Sequence, residues 1–228
     1  MEVQINHLRK AYKDREILKG ITFRIEEGTI CGLLGVNGAG KSTIMKIIFG
    51  LEAIDSGTIS YSGKKKAPHG DYEMGALIEA PAIYMNLSAF DNLKTRALLY
   101  DISNERIHQV LELIGLSHTG KKKAGHFSLG MKQRLGLGMA IITNPDLLIL
   151  DEPTNGLDPD GIKELLDLMI TLKESGMTIL LSSHQLHEVS KVADRIIILH
   201  DGEIFYNQIN SHDDDLEQLF FNIVHGGI

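Results

Sequence analysis

The sequence predicts an α/β fold with a mostly parallel sheet, an antiparallel β edge and an inserted helical sub-domain. Three observations lead to it. First, Leu147-Leu148-Ile149-Leu150 runs straight into Asp151-Glu152, and Pro153 with the Asn155-Gly156 pair follows at once. A short unbroken apolar run fits a strand covered on both faces, as parallel strands are, and Pro and Asn-Gly end it. Second, helix and strand patterns alternate after this point, with helices at 159–175 and 185–193 and strands at 178–181 and 195–199. Such alternation builds a parallel sheet. Third, residues 80–145 lack the alternation and carry helix-capping serines at Ser88, Ser103 and Ser128.

In chain order, the first part reads as strands at 3–8, 17–26, 29–34 and 58–61, with a helix at 43–49. Residues 74–78 form another strand. Helices then run from Ser88 to about Tyr100, from Ser103 to about Ile114, and from Ser128 to just before Asn144-Pro145. After the strand at 195–199, Asp201-Gly202 is a hairpin turn into 203–206. Residues 211–224, with Asp213-Asp214-Asp215, read as a short acidic terminal helix. The whole is one domain, 1–228. Its core covers about 1–79 and 146–207, its helical sub-domain about 80–145, and its acidic tail 208–228.

Apolar residues make up 43 % of the 228, enough for a sizeable core. No apolar run approaches the roughly 18 residues needed to span a membrane, and Met1-Glu2-Val3-Gln4 does not open a signal peptide. Cys31, the single cysteine, sits in the 29–34 strand as a small buried residue, so no disulfide forms within the chain. These features fit a cytoplasmic protein. Thirty acids against 23 bases give a net charge of −7, which argues against nucleic acid as a partner. Lys64-Lys65-Lys66 and Lys121-Lys122-Lys123 are the exceptions. They read as solvated loops, or as contacts to anionic lipid or to a membrane partner's acidic loop.

Gly35-Val36-Asn37-Gly38-Ala39-Gly40-Lys41-Ser42 fits G-x-x-x-x-G-K-[ST] between a strand and a helix, which marks a P-loop NTPase core. Glycines let backbone N–H groups wrap a phosphate chain, and the helix N-terminus adds a favourable dipole. Asn37, Gly38, Ala39, Gly40, Lys41, Ser42 and Thr43 are therefore candidate nucleotide contacts. Lys41 is expected to reach the β- and γ-phosphates, and the Ser42 hydroxyl to ligate Mg²⁺. Two acids at the carboxyl end of a buried strand need a cation. Asp151 fits the Mg²⁺ shell, and Glu152 the general base acting on water. ATP and Mg²⁺ are the expected cofactors.

With both nucleotide motifs placed, the chain resembles the ATP-binding subunit of an ABC transporter over roughly residues 2–207. Phe127-Ser128-Leu129-Gly130-Met131-Lys132-Gln133-Arg134 is similar to the family signature L-S-G-G-Q-x-Q-R. The resemblance implies that Ser128 and Gly130 meet the γ-phosphate held by a second subunit. Leu129 and Met131 depart from the usual glycine and glutamine. By the same resemblance, Tyr12 is the aromatic that stacks on adenine, although a lone Tyr is more often strand packing. Asp158 lies in the loop linking two composite sites across a dimer, and His184 contacts the γ-phosphate. His184 and His187 have the look of a metal pair without a third ligand.

Where the family has a glutamine that touches Mg²⁺ or water and senses the permease, this chain has Glu79, in Ile78-Glu79-Ala80-Pro81. Glutamate adds a charge and, once ionised, only accepts hydrogen bonds. Glu79 together with the Ser128–Arg134 segment is similar to the bacitracin and lantibiotic self-protection branch of bacterial ABC exporters. The resemblance implies a motor that hydrolyses ATP through Glu152, His184 and Lys41. Its partners are integral-membrane permease subunits and a second ATPase subunit, head-to-tail, and it sits on the inner face of the membrane through the permease. The alternatives are a soluble ABC ATPase acting on DNA or ribosomes, or a nucleotide-binding regulator.

Overall fold

The computed structural model describes residues 1–62, 73–211 and 216–226. The strands form two sheets. A six-stranded sheet has the order β5 (Met74–Leu77), β6 (Leu147–Asp151), β7 (Thr178–Ser183), β3 (Ile30–Leu34), β8 (Arg195–His200) and β9 (Glu203–Ile209). All neighbours are parallel except β8 and β9, which pair antiparallel through the Asp201-Gly202 turn. A second, three-stranded antiparallel sheet has the order β2 (Arg15–Ile25), β1 (Glu2–Tyr12), β4 (Ser56–Ser62).

The unbroken apolar runs follow from burial on both faces of the larger sheet. Leu148, Leu150, Ile179, Leu181, Ile196 and Ile198 point into one core, and Leu147, Ile149, Leu180, Ile197 and Leu199 into the other. Two helices, α5 (Pro159–Glu174) and α6 (Leu186–Val192), contribute to the first core. The second lies between the sheet, α1 (Lys41–Ile48) and the antiparallel sheet, whose Val3, Ile5, Phe23 and Ile25 alternate inward. Cys31 lies in that second core, and burial pushes its thiol pKa up to about 12, which leaves it an inert apolar side chain.

Residues between β5 and β6 form three α-helices, α2 (Ala89–Leu99), α3 (Asn104–Leu113) and α4 (Leu129–Ile141), with two short 3-10 turns between α3 and α4. Ser88, Ser103 and Ser128 each accept a hydrogen bond from an amide three residues on, so all three are side-chain caps. The buried faces of these helices, Leu93, Ala97, Ile107, Val110, Leu135 and Leu137 among them, continue the first core.

Element ends differ from the sequence reading where pairing rather than composition decides. The first strand runs on to Tyr12 and the second begins at Arg15, because Ala11 pairs with Glu16 and Tyr12 with Arg15. The turn is Lys13-Asp14, with Lys13 at φ 54°. That hairpin carries no glycine, so its polar residues read as loop. Similarly, β9 extends to Ile209 because Arg195 pairs with Ile209. The terminal helix α7 (Leu216–His225) buries Leu216 and Ile223 against the core, with Leu219 and Phe220 packed beside them. It is an apolar-faced docked helix; Asp213-Asp214-Asp215 and Lys64-Lys65-Lys66 lie outside the described residues.

Helix α6 packs closely on the sheet because β3 carries Gly32, where a Cβ would overlap Val189 Cγ1 and come within 3.3 Å of Ala193 Cβ. Gly32→Ala should destabilise the fold by about 1–3 kcal/mol through overpacking, read as a lower urea midpoint with an unchanged slope. An unaltered midpoint would show that α6 can move off the sheet freely.

Candidate functional site

The phosphate loop spans the end of β3 and the start of α1. Gly40 is the residue before α1 and has φ 112°, a conformation that L side chains rarely adopt, and a Cβ there would come within 2.8 Å of Leu18 Cδ2. Lys41 is 6 % exposed. Its ammonium donates to the Gly35 carbonyl at 2.7 Å and lies 3.2 Å from Glu152 Oε1. A cavity of about 280 Å³ is lined by Asn37, Gly38, Gly40, Lys41, Ser42 and Thr43 of the loop and, from other elements, by Arg15, Ile17 and Glu152.

Asp151 and Glu152 emerge from β6 at the sheet's carboxyl edge, where open α/β sheets hold ligands. Ser182, at the end of β7, donates its hydroxyl to Asp151 Oδ1 at 2.6 Å and accepts the Glu152 amide at 3.0 Å. Glu152 has φ 49°, a costly conformation for a residue with a Cβ. Its turn is fixed by the amide's second bond to the Ser182 carbonyl and by Asn155 N donating to the Glu152 carbonyl. Glu152 Oε2 lies 2.7 Å from His184 Nδ1. A carboxylate at that distance makes Nδ1 the protonated nitrogen and leaves Nε2 for a second partner. Lys41, Glu152 and His184 thus form one chain of contacts beside the loop.

A fit to Mg²⁺ rests on the donor set. The Ser42 hydroxyl in the phosphate-loop cavity and the Asp151 carboxylate at the end of β6 are hard oxygen donors, matching a cation that binds one or two protein oxygens and completes its shell with phosphate and water. Asp151 is 6 % exposed, with one oxygen engaged by Ser182.

Other predicted residues lie elsewhere. Glu79 is at φ 65°, and its exposed carboxylate takes the Lys46 ammonium at 2.6 Å. That hydrogen bond holds the Glu79 pKa below the usual carboxylate range and raises that of Lys46. Tyr12 ends β1, 41 % exposed, with Lys10 Nζ 5.2 Å from its ring centre. Asp158 accepts the Gly161 amide at 2.9 Å as the cap of α5. Ser128 and Gly130 share a second cleft, of about 350 Å³, with Gly156, Leu157 and Asp158 of the same chain. Lys121, Lys122 and Lys123 are exposed, and Lys122 lies 5.8 Å from the Phe127 ring centre. Among the described residues, no group of three His, Cys, Asp or Glu could hold a metal, so His184 and His187 gain no third ligand there.

Sequence reasoning missed Ser182, Arg15 and Lys46. Ser182 left a trace, since Ser182-Ser183 are polar residues at the end of an apolar strand. Arg15 and Lys46 left none, because only the folded hairpin brings Arg15 to the phosphate-loop cavity and only the packed helix brings Lys46 to Glu79.

A sequence profile of the ABC transporter family matches residues 18–155. The lantibiotic transport ATP-binding protein SrtF of Streptococcus pyogenes is 44 % identical over 220 residues, covering 96 % of each chain. The bacitracin transport ATP-binding protein BcrA of Bacillus licheniformis is 42 % identical over 207 residues, covering 89 % of this chain and 68 % of the relative. A solved ATP-binding subunit of an ABC transporter superposes with a TM-score of 0.84 at 30 % identity, over 98 % of this chain and 99 % of that one. The phosphate loop, the paired acids and these likenesses agree: the chain belongs to the ABC transporter family, as an ATP-binding subunit with ATPase activity.

Proposed function

We propose that this subunit uses Mg-ATP hydrolysis to drive a membrane permease that exports antimicrobial peptides of the lantibiotic or bacitracin type, protecting the cell that carries it. The observation that carries the catalytic part is the contact chain Lys41–Glu152–His184 at the mouth of the phosphate loop. The transport part is supported by the relatives' names and by Glu79 with the Ser128–Arg134 segment.

The phosphates of ATP compete with the Gly35 carbonyl and Glu152 for the Lys41 ammonium. When Lys41 moves to the phosphates, Glu152 keeps its hydrogen bond to His184 and gains a free oxygen for water. Glu152 then orients that water and takes its proton as it attacks the γ-phosphorus in line. Ser42 and Asp151 would hold Mg²⁺, which supplies charge neutralisation at the β- and γ-phosphates when bound. His184 Nε2 is left to contact the γ-phosphate, and Tyr12 to stack on the adenine.

Two copies close head-to-tail, so that Ser128 and Gly130 of one meet the nucleotide on the phosphate loop of the other, with Asp158 linking the two sites. Residues 80–145 form the helical sub-domain that carries Ser128 to the partner. No helix among the described residues is long and apolar enough to cross a membrane. Membrane attachment, on the cytoplasmic face, is through the permease. Glu79, held by Lys46, would serve as the contact that senses the permease and as a further oxygen donor for Mg²⁺.

Glu152→Gln should bind ATP within a few-fold of the unmodified chain and hydrolyse it at least about 100-fold more slowly, as measured by nucleotide binding and phosphate release. Turnover near the starting rate rules Glu152 out as the base. Glu79→Gln, assayed with the permease in vesicles, should lower transport per ATP hydrolysed, because the Lys46 pairing loses its charge. Unchanged hydrolysis and transport together remove any special role for Glu79.

A further inference from the structure

Leu129 stands where the family signature has glycine, and its surroundings give it something to do. It is the first residue of α4, 48 % exposed, and one of its methyl groups lies over Gly156. A Cβ on Gly156 would come within 2.7 Å of Leu129 Cδ2. One residue further along each segment the contact repeats, since a Cβ on Gly130 would lie 3.6 Å from Leu157 Cδ2. At the other end of the same cleft, Arg134 of α4 pairs with Glu164 of α5 at 3.1 Å. The cleft thus has the Ser128 loop on one wall and the Gly156–Asp158 turn on the other, joined by apolar contact at one end and an ion pair at the other.

The two walls are stiff for separate reasons. Ser128 accepts the Met131 amide and anchors the start of α4, while Asp158 accepts the Gly161 amide and anchors the start of α5. A side chain bridging them joins two fixed helix ends. Glycine at 129 would leave the walls without that bridge. The exposed ion pair alone is a weak link, because such pairs contribute little in water.

We propose that Leu129 is a positioning residue. It fastens the Ser128 loop to the Gly156–Asp158 turn of its own chain, so that both reach a second copy as a single preformed surface. The second clause rests on the head-to-tail dimer proposed above; the first does not. A surface ordered before association loses less freedom on binding than two loops ordered separately. Leu129 therefore acts on assembly of the shared site and not on the phosphate chemistry.

The test compares Leu129→Ala, which removes the bridge and keeps a good helix former, with Leu129→Met, which keeps its apolar reach. Hydrogen exchange is measured on the chain without nucleotide. Backbone amides at 155–161 should exchange about five- to tenfold faster in Leu129→Ala and return to within about twofold of the unmodified rate in Leu129→Met. Amides of α1 should be unchanged in both, which shows that the core is intact. Unchanged exchange at 155–161 in Leu129→Ala overturns the fastening. The specific ATPase rate is then followed against protein concentration. Half-maximal activity should move to about fivefold higher concentration in Leu129→Ala, with Leu129→Met in between or unshifted. Faster exchange without this shift overturns the link to assembly. If the unmodified chain shows neither concentration dependence nor an ATP-dependent dimer by light scattering, the dimer reading fails, and exchange alone decides the fastening.

Discussion

A single hydroxyl, that of Ser182, separates the surroundings of two adjacent acids. It donates to Asp151 Oδ1 and accepts the amide of Glu152, so it bonds the end of β6 from both sides. The amide bond helps to hold Glu152 at positive φ, which turns its side chain away from the strand direction and toward Lys41 and His184. Asp151 keeps the strand's direction and stays nearly buried. Neighbouring residues in a strand point to opposite faces, so two consecutive carboxylates serve one site only if the chain bends between them. The cost of that bend, about 1–3 kcal/mol for such a conformation, is offset by the hydrogen bonds that fix it.

The bend depends in turn on the sheet. Ser182 faces Asp151 because β6 and β7 are parallel and in register, Leu150 beside Leu181 and Asp151 beside Ser182. That register is held by apolar residues packed on both faces, since a slip would send each side chain into the other core and misfit both. The phosphate loop leaves β3 on the other side of β7, and the same carboxyl edge brings Lys41 to Glu152. Packing, register and the geometry of the candidate site are therefore one constraint expressed at three levels.

Charge organisation shows a second pattern, with one ion pair inside the site and one outside it. Lys41 is shared between a backbone carbonyl and Glu152, and Glu79 is held by Lys46 on an exposed surface. The exposed Lys46–Glu79 pair contributes little to stability. The contacts between Leu129 and Gly156, and between Leu157 and Gly130, are of another kind, apolar and short-range, suited to keeping two loops together.

The sequence by itself determined the fold class and the order of nearly every element, and it marked the candidate residues for phosphate chemistry. Those signals are local: a glycine spacing that a phosphate needs, a two-sided apolar run ending in acids, and serines that cap helices within three residues. Only the tertiary structure decided which partner each of those residues takes. The polar hairpin that brings Arg15 to the phosphate cavity, the pairing of Lys46 with Glu79, the hydroxyl that divides Asp151 from Glu152 and the contact of Leu129 with Gly156 all join segments distant in the chain. Periodicity and motif spacing record what a residue does to its neighbours in sequence, whereas these contacts arise from strand register and helix packing, which no single segment encodes.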